Sequence, residues 1–260
     1  MLELADKIIR RLVRAPLKRI LKTPKKKVTV KRAMPGSWCA TRLPSLDRQT
    51  VSTFNEIEAI ATATQSLGER PLWEGFSQIK NYPTNTATGR TSNQVRTSSD
   101  VGRIYTWAAI DKKPNLIVEF GTAFGVSGMY WLAGIEANGR GHLLTFEPNQ
   151  AWADIAKSNL SRISDKFTLT IGTFEDNLAV VDQFPAKIDM AFIDAIHTSE
   201  FVFEQLDLVE RRCAPGALII LDDITFSDDM CACWRAVSKR PRYAAVAEIG
   251  GRSGLVELAR

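Results

Sequence analysis

Residues 118–127 decide the fold of this chain, because they join a buried strand to a helix through a turn that contains two glycines. The stretch reads Val118-Glu119-Phe120-Gly121-Thr122-Ala123-Phe124-Gly125-Val126-Ser127. An apolar run precedes it, and a helical pattern of apolar residues follows over 126–137. Gly121 and Gly125 leave room for a ligand to approach the backbone, and they equally suit tight packing of helix on strand. Ligands bind beyond the carboxyl ends of strands in open parallel sheets, so this turn is a predicted binding site.

Outward from this turn, short apolar runs alternate with helical segments, which predicts a parallel sheet with helices on both faces. Near the end of the chain, residues 243–248 and 254–259 are predicted to form an antiparallel hairpin joined by Gly250-Gly251-Arg252-Ser253. We therefore predict an α/β fold with a doubly wound, mostly parallel, seven-stranded Rossmann-like sheet. The other predicted strands are 115–120, 142–146, 167–172, 188–193 and 218–221, and the helices between them are 126–137, 150–161, one from about 176, 199–212 and 229–238.

The first part of the chain is predicted to be helical and irregular. Residues 2–22 carry apolar groups at helical spacing interrupted by Pro16, and residues 25–36 are typical of a solvated linker. Helices are also expected over 50–66 and 99–112, and the polar stretch 81–99 is expected to be a loop. This divides the chain into a basic, helical N-terminal extension (1–36), a cap and substrate region (37–112) and a ligand-binding domain (113–260).

The charge of the chain is unevenly distributed. Residues 1–36 hold twelve Lys and Arg against two acidic residues, whereas the remainder holds 22 basic against 27 acidic residues. A basic amphipathic extension fits peripheral contact with an anionic membrane. A surface helix packed on the domain or on a second subunit fits equally well, so a homo-oligomer stays open. Stacking aromatic residues are absent between the basic residues 1–32, so no specific nucleic-acid partner is expected.

The cysteines and the hydropathy indicate the compartment. Cys39, Cys213, Cys231 and Cys233 form no CxxC pair and no zinc-type spacing, and we interpret them as reduced thiols. The sequence contains neither an apolar run of about 18 residues nor the apolar core of a signal peptide. A cytoplasmic protein is expected, with peripheral location at the membrane surface as the alternative.

Two carboxylates accompany the glycine turn. Glu119 ends the first strand of the sheet, and Glu147 ends the second, where a carboxylate can accept both hydroxyls of a ribose. The spacing of Gly121, Gly125 and Gly128 is not that of the dinucleotide fingerprint, and the G-K-S/T of phosphate-binding loops is absent. These features favour a cofactor that has a ribose and no pyrophosphate.

Three further carboxylates are predicted to meet at the same edge of the sheet. Asp194 follows one strand, and Asp222 and Asp223 follow its neighbour. Such a cluster fits Mg²⁺ or another hard divalent ion, while separate solvated carboxylates at helix starts are the alternative. His197, three residues after Asp194, is placed to take a proton from a substrate hydroxyl, with a surface or helix-cap histidine as the alternative.

The glycine turn resembles the E-x-G-x-x-x-G-x-S loop of class I S-adenosylmethionine-dependent methyltransferases, in the form found in metal-dependent O-methyltransferases. Phe192-Ile193-Asp194-Ala195-Ile196-His197-Thr198-Ser199-Glu200 resembles the F-I-D-x-x-H-x-x-E stretch of bacterial O-methyltransferases related to the macrolide-sugar enzymes and to catechol O-methyltransferase. The resemblance covers about residues 100–260. Ala195 stands where these enzymes usually have Gly, and Ile196 where many have an acidic residue, which leaves the substrate open.

The resemblance implies S-adenosylmethionine as cofactor and a divalent metal, Mg²⁺, beside it. It implies that Asp194, Asp222 and Asp223 hold the metal, and that His197, together with Asp194, acts in catalysis. Glu119 and the loop backbone would face the methionine end, Glu147 the ribose and Phe174-Glu175 the adenine. The implied cofactor-binding residues are Glu119, Gly121, Thr122, Gly125, Ser127, Glu147, Phe174 and Glu175.

These patterns predict a metal-assisted O-methyltransferase that acts on a hydroxyl of a small molecule or sugar. The acceptor is expected to contact residues 70–100, with Trp73, Tyr82, Arg90 and Arg96 as candidates. Two other classes stay open. A hydroxylase-like oxidoreductase on the same scaffold would need a site with two histidines, and a non-catalytic protein would use the basic extension to bind a membrane or another polyanion.

Overall fold

The computed structural model describes residues 28–79, 82 and 86–259. The strands are β1 (Val28–Ala33), β2 (Arg70–Pro71), β3 (Gly89–Arg90), β4 (Leu116–Phe120), β5 (His142–Glu147), β6 (Phe167–Ile171), β7 (Ile188–Ile193), β8 (Cys213–Leu221), β9 (Tyr243–Ile249) and β10 (Ser253–Leu258). The α-helices are α1 (Trp38–Thr41), α2 (Phe54–Gln65), α3 (Ser92–Val95), α4 (Ser99–Lys112), α5 (Val126–Asn138), α6 (Gln150–Ser161), α7 (Leu178–Asp182), α8 (Ser199–Glu210) and α9 (Asp228–Ser238). Short 3₁₀ helices cover Leu43–Ser45, Phe76–Gln78 and Glu175–Asn177.

The core of the molecule is an eight-stranded sheet in the order β1-β9-β10-β8-β7-β4-β5-β6. Strands β8, β7, β4, β5 and β6 are parallel, while β10, β9 and β1 add on in antiparallel pairs. Phe120 pairs with both Phe146 and Ile193, and Ile193 pairs with Leu221. The carboxyl ends of four parallel strands are therefore level, so the loops that follow them meet at one edge.

Both faces of the sheet are covered by helices. This is expected because the parallel strands are continuous apolar runs. On one face, Tyr105 of α4 stacks on Trp131 of α5 with ring centroids 4.7 Å apart, and both rings contact Phe192 of β7. Helix α5 packs against α2, α4 and α6 as well as against the sheet, which explains why its residues from Val126 to Ile135 are all buried. The opposite face is covered by α8 and α9, so the predicted doubly wound architecture is confirmed.

One part of the predicted organisation is wrong, because residues 28–33 form an edge strand rather than part of a solvated linker. Strand β1 pairs with β9 and extends the predicted seven-stranded sheet to eight strands. Lys31 pairs with Glu248 at 2.9 Å, and Arg32 donates to the carbonyl oxygen of Arg240 at 2.9 Å. Lys31 and Arg32 are thus bound along the sheet edge, where charged side chains are common, whereas Lys25, Lys26 and Lys27 lie outside the described residues.

The remaining predictions for the first part of the chain have mixed outcomes. Helices α2 and α4 lie where helices were expected, whereas the predicted loop 81–99 contains β3 and α3. The helices predicted over residues 2–22 lie outside the described residues. The four cysteines are free thiols, as expected. Within the described part of the chain, no helix combines the length and the apolar character needed to cross a membrane.

Candidate active site

The turn between β4 and α5 is fixed by its two neighbouring strands. The backbone N–H groups of Gly121 and Thr122 both donate to the carbonyl oxygen of Phe146, at 3.1 Å. Gly121 has a φ of 76°, and a Cβ atom there would lie 2.0 Å from the carbonyl oxygen of Asp194. Gly125 begins α5 with a φ of 83°. Glycine is thus required at position 121 both by backbone conformation and by close packing against the end of β7.

Glu119 lies beneath this turn and not on the surface of a cavity. Its carboxylate is fully buried, and Oε2 accepts a hydrogen bond from the Thr145 hydroxyl at 2.8 Å. Burial raises the pKa of Glu119 to about 7, although Ser127, Thr145 and Trp131 act to lower it. Among the described residues, no group makes a hydrogen bond of ordinary geometry to Oε1. The influence of Ser127 and Trp131 on its pKa shows that their donors lie near the carboxylate, so Glu119 is enclosed by protein groups and supports the turn from below.

Glu147 at the end of β5 is held by backbone donors at the edge of a cavity. Its Oε2 accepts from Ala123 N at 2.7 Å, and its Oε1 accepts from Asn149 N at 2.9 Å. Burial raises its pKa to about 7, while these two N–H groups act to lower it. A carboxylate has about four acceptor positions, so this one retains capacity for two hydroxyl donors. That is the arrangement expected for a ribose.

A cavity of about 440 Å³ opens at the carboxyl edge of the sheet. This volume is within the range typical of small-molecule sites. The predicted cofactor residues that line it are Gly121, Glu147, Phe174 and Glu175, and the predicted acceptor and rim residues that line it are Trp73, Tyr82, Arg90, Asp194, His197 and Asp223. The residues predicted for the two ends of a methyl-transfer reaction therefore share one cavity.

Several predicted site residues do not line this cavity. Thr122 and Ser127 border a smaller adjoining cavity. Gly125 packs against helix α6, where its Cβ position lies 3.3 Å from the Cα atom of Ala156. Arg96, predicted to contact the acceptor, instead pairs with Glu58 at 2.6 Å. The explanation of the second glycine as a helix-packing residue is thus supported by its contacts.

His197 lies on the rim of the cavity, between two carboxylates. Its Nε2 atom is 3.6 Å from Oδ1 of Asp194 and 3.5 Å from Oδ2 of Asp223. Burial lowers the pKa of the imidazole, against the opposing influence of Asp223 and Asp222. Burial and the charge of Asp222 raise the pKa of Asp194 well above its ordinary value. A neutral histidine in this position can accept a proton at neutral pH.

Arg252 is the functional candidate that sequence reasoning missed. Its Nη2 lies 2.7 Å from Oδ2 of Asp222, and its Nε lies 2.8 Å from Oδ1 of Asp223. Burial acts to lower the pKa of this guanidinium, but Asp222, Asp194 and Asp223 raise it overall. The predicted hairpin contained Arg252 without indicating a partner for it, because the contact depends on the pairing of β10 with β8, which brings Arg252 opposite the residues that follow β8.

These contacts do not fit the divalent metal site predicted from Asp194, Asp222 and Asp223. Both oxygens of Asp222 are already engaged, Oδ2 by Arg252 and Oδ1 by the Ser253 hydroxyl at 2.7 Å. In residues 28–79, 82 and 86–259, no group of three or more His, Cys, Asp or Glu side chains is arranged to hold a metal ion. The carboxylates do converge as predicted, but a guanidinium is the cation between two of them.

The two histidines lie at opposite edges of the sheet. His142 begins β5, and its Nε2 is 2.9 Å from the Thr168 hydroxyl, whereas His197 follows the carboxyl end of β7. These two residues therefore do not form the site with two histidines that the oxidoreductase hypothesis requires.

Comparison with known proteins gives a domain match and a shared fold. A family model described as a methyltransferase domain matches residues 118–224, which run from β4 to just beyond β8. The O-methyltransferase TomG from Streptomyces achromogenes, solved in complex with SAM, has 18% identity and a TM-score of 0.55, covering 78% of this chain and 96% of its own. The O-methyltransferase from Bacillus cereus, solved in complex with SAH, has 19% identity and a TM-score of 0.56, covering 82% of this chain and 92% of its own. The domain match shows a methyltransferase domain over residues 118–224, and the solved structures show that the chain shares the fold of O-methyltransferases that bind SAM or SAH.

Proposed function

We propose that this methyltransferase acts on a hydroxyl oxygen of a small molecule or sugar, with His197 as the base. The observation that carries the proposal is the position of the buried His197 imidazole, whose pKa is lowered by burial, on the rim of the cavity that also contains Gly121 and Glu147. A hydroxyl is a weak nucleophile until it loses its proton, and a histidine within reach can remove that proton. Both structurally similar proteins described above are O-methyltransferases, which supports oxygen as the acceptor atom.

The cofactor would lie along the carboxyl ends of β4, β5 and β6. Glu147 would accept the ribose hydroxyls, Phe174 and Glu175 would contact the adenine, and the Gly121 turn above Glu119 would hold the methionine end. Thr122, Gly125 and Ser127 would shape that turn. Held by these residues, S-adenosylmethionine would supply an electrophilic methyl group for the acceptor oxygen.

His197 would receive the proton that the acceptor hydroxyl loses. Asp194 and Asp223 flank its Nε2 atom and would stabilise the imidazolium that forms. The adjoining wall is aromatic, because Tyr82 stacks on Phe226 with centroids 5.5 Å apart and Phe226 contacts the imidazole. This wall would hold the apolar part of the acceptor and keep water from the base.

Assistance by a divalent ion, which the sequence predicts, is the second candidate for this mechanism. The convergence of Asp194, Asp222 and Asp223 on one rim favours it, and the engagement of Asp222 and Asp223 by Arg252 opposes it. Isothermal titration with S-adenosylmethionine, with and without Mg²⁺, measures whether the cofactor binds and whether the ion contributes.

The proposed base is tested by His197→Gln, with His142→Gln as the matched control at the opposite edge of the sheet. Turnover would be followed as S-adenosylhomocysteine formation with a panel of catechols, sugars and other hydroxyl compounds. We expect His197→Gln to lower kcat by about 10²- to 10⁴-fold, the usual contribution of a general base. Its affinity for S-adenosylmethionine should stay unchanged, and the control should behave as wild type. Equal kcat values in the two variants would contradict the proposal.

A further inference from the structure

A cation that lines the same cavity as the proposed base is supplied by the chain itself. Arg252 lies in the turn between β9 and β10, where Gly250 and Gly251 adopt positive φ angles of 63° and 71°. The carbonyl oxygen of Arg252 accepts a hydrogen bond from Ile224 N at 2.9 Å. This bond ties the hairpin turn to the segment that follows Asp222 and Asp223, so the backbone of Arg252 is held beside these two carboxylates.

The contacts of Asp222 show why a cation is needed there. This carboxylate is 2% exposed, and an ionised group at that depth is costly unless it is paired and hydrogen-bonded. Arg252 donates to Oδ2 from Nε at 3.0 Å and from Nη2 at 2.7 Å. Ser253 donates to Oδ1, and the Ser253 hydroxyl also meets the Tyr105 hydroxyl at 2.9 Å. Asp222 is therefore fully satisfied by protein groups.

A divalent ion at this rim would have to displace the guanidinium. Arginine does not deprotonate in proteins, so the two cations would repel each other at short range if Arg252 stayed. If the Arg252 side chain moved away, the buried carboxylate of Asp222 would lose the two hydrogen bonds that Arg252 donates to it. Arg252 also lines the cavity beside His197 and Asp223, so it faces the same space as the proposed acceptor. A guanidinium there offsets the negative charge of the aspartates and can donate to an acceptor oxygen.

We propose that the Arg252 guanidinium takes the place of a divalent ion at the acidic rim, so that methyl transfer by this chain needs no metal. The inference rests on the proposed function, since it concerns the cation of the same site. Arg252 lies outside the matched domain, which ends at residue 224, so the hairpin adds this group to the site.

The first experiment measures metal binding without any acceptor. Full-length protein stripped with EDTA would be titrated with Mn²⁺, and bound ion followed by electron paramagnetic resonance. Wild type should show no saturable binding. Arg252→Ala should bind one Mn²⁺ per chain, and adding Asp223→Asn to that variant should abolish the binding. Arg212→Ala is the matched control, because it breaks an arginine–aspartate pair with Asp182 on the exposed surface and should bind no Mn²⁺.

Two further measurements cover the case in which Arg252→Ala does not fold. Arg252→Lys keeps a positive charge and should bind no Mn²⁺, and wild-type turnover should survive EDTA without measurable change. A single Mn²⁺ bound by wild type and lost in Asp223→Asn would overturn the inference, as would EDTA inactivation reversed by Mg²⁺, or Mn²⁺ binding by Arg252→Lys. Failure to find hydroxyl methylation would overturn the proposed function alone, because the Mn²⁺ titrations do not depend on the acceptor.

Discussion

Glu147 is a residue whose own environment is expected to give the proposed cofactor site a pH dependence. Burial raises its pKa from 4.5 to about 7, so near neutral pH it is only partly ionised in the folded protein. Ribose hydroxyls donate better to the ionised form. Affinity for S-adenosylmethionine should therefore rise between pH 6 and pH 8, by up to about tenfold if only the ionised form binds. Isothermal titration at the two pH values measures this change.

The effect of Glu147 on the stability of the unliganded protein has the opposite pH dependence. Because the folded pKa of Glu147 lies above its unfolded value, the folded state holds more protons between about pH 4.5 and pH 7. Its contribution to the free energy of unfolding is therefore present at low pH and is lost as pH rises through that window.

Glu147→Gln is the control for the predicted pH dependence of cofactor binding. This substitution should weaken cofactor binding far more at pH 8 than at pH 6. Equal losses at both values would assign the pH dependence to another group.

Backbone strain at single residues marks the same site. Ala123 and Asp223 are non-glycine residues with φ angles of 47° and 49°. Such conformations cost free energy and persist where surrounding contacts hold them. Ala123 N is held by Glu147, and Asp223 by Arg252. These two positions lie at the predicted ribose carboxylate and at the acidic rim, while Lys113, with a φ of 54°, ends helix α4.

At the scale of elements, the first helix of the described chain depends on a strand far away in sequence. The backbone N–H groups of Trp38 and Cys39, at the start of α1, donate to the two carboxylate oxygens of Glu257 on β10, each at 2.8 Å. Glu257 is 1% exposed, so these donors have no access to water. Strand β1 leads into this helix, and the contact therefore helps to hold the edge of the sheet.

Glu257→Gln is expected to destabilise the protein by about 1–3 kcal/mol, because one amide end cannot accept and leaves a buried N–H unsatisfied. Urea denaturation measures the loss, and limited proteolysis near residues 28–42 should become faster. Glu248→Gln is the control, since Glu248 pairs with Lys31, whose side chain is half exposed, and such pairs contribute about 0–1 kcal/mol. An equal loss of stability in the two variants would argue against the capping role of Glu257.

At the scale of the whole molecule, the N-terminal part of the chain remains strongly basic even when the residues of β1 are counted with the sheet. Lys31 and Arg32 belong to the sheet edge, while residues 1–27 still hold ten basic against two acidic residues. We expect the full chain to sediment with anionic lipid vesicles and to be released by high salt, since exposed charges are screened. Deletion of residues 1–27, which spares β1, should abolish sedimentation and leave cofactor affinity unchanged.

The alternatives for the extension give different results in the same experiment. A segment packed on the domain would leave vesicle binding absent in both proteins and would lower thermal stability on deletion. A segment packed on a second subunit would change the oligomeric state, which light scattering measures. Sedimentation with neutral vesicles is the control, and equal binding to both vesicle types would argue against an electrostatic contact.

The sequence by itself determined the parallel part of the fold and which residues lie at the carboxyl edge of its sheet. Buried parallel strands are continuous apolar runs, and their helices have a regular apolar period, so β4 to β10 and the turn at Gly121 could be predicted from local patterns. Glu147, Asp194 and His197 follow because residues just after parallel strands share one edge of the sheet. These features depend on contacts between residues that are near in sequence, or on the rule that the carboxyl ends of parallel strands share one edge of the sheet.

Only the tertiary structure decided which groups pair across that edge. Strand β1 was hidden because its pairing energy comes from β9, more than 200 residues away, while its Lys and Arg suggested solvent. Arg252 lay in a hairpin turn whose composition predicts only a turn. Its approach to Asp222 and Asp223 depends on the register of β10 on β8, which brings a guanidinium to carboxylates that sequence spacing alone assigned to a metal.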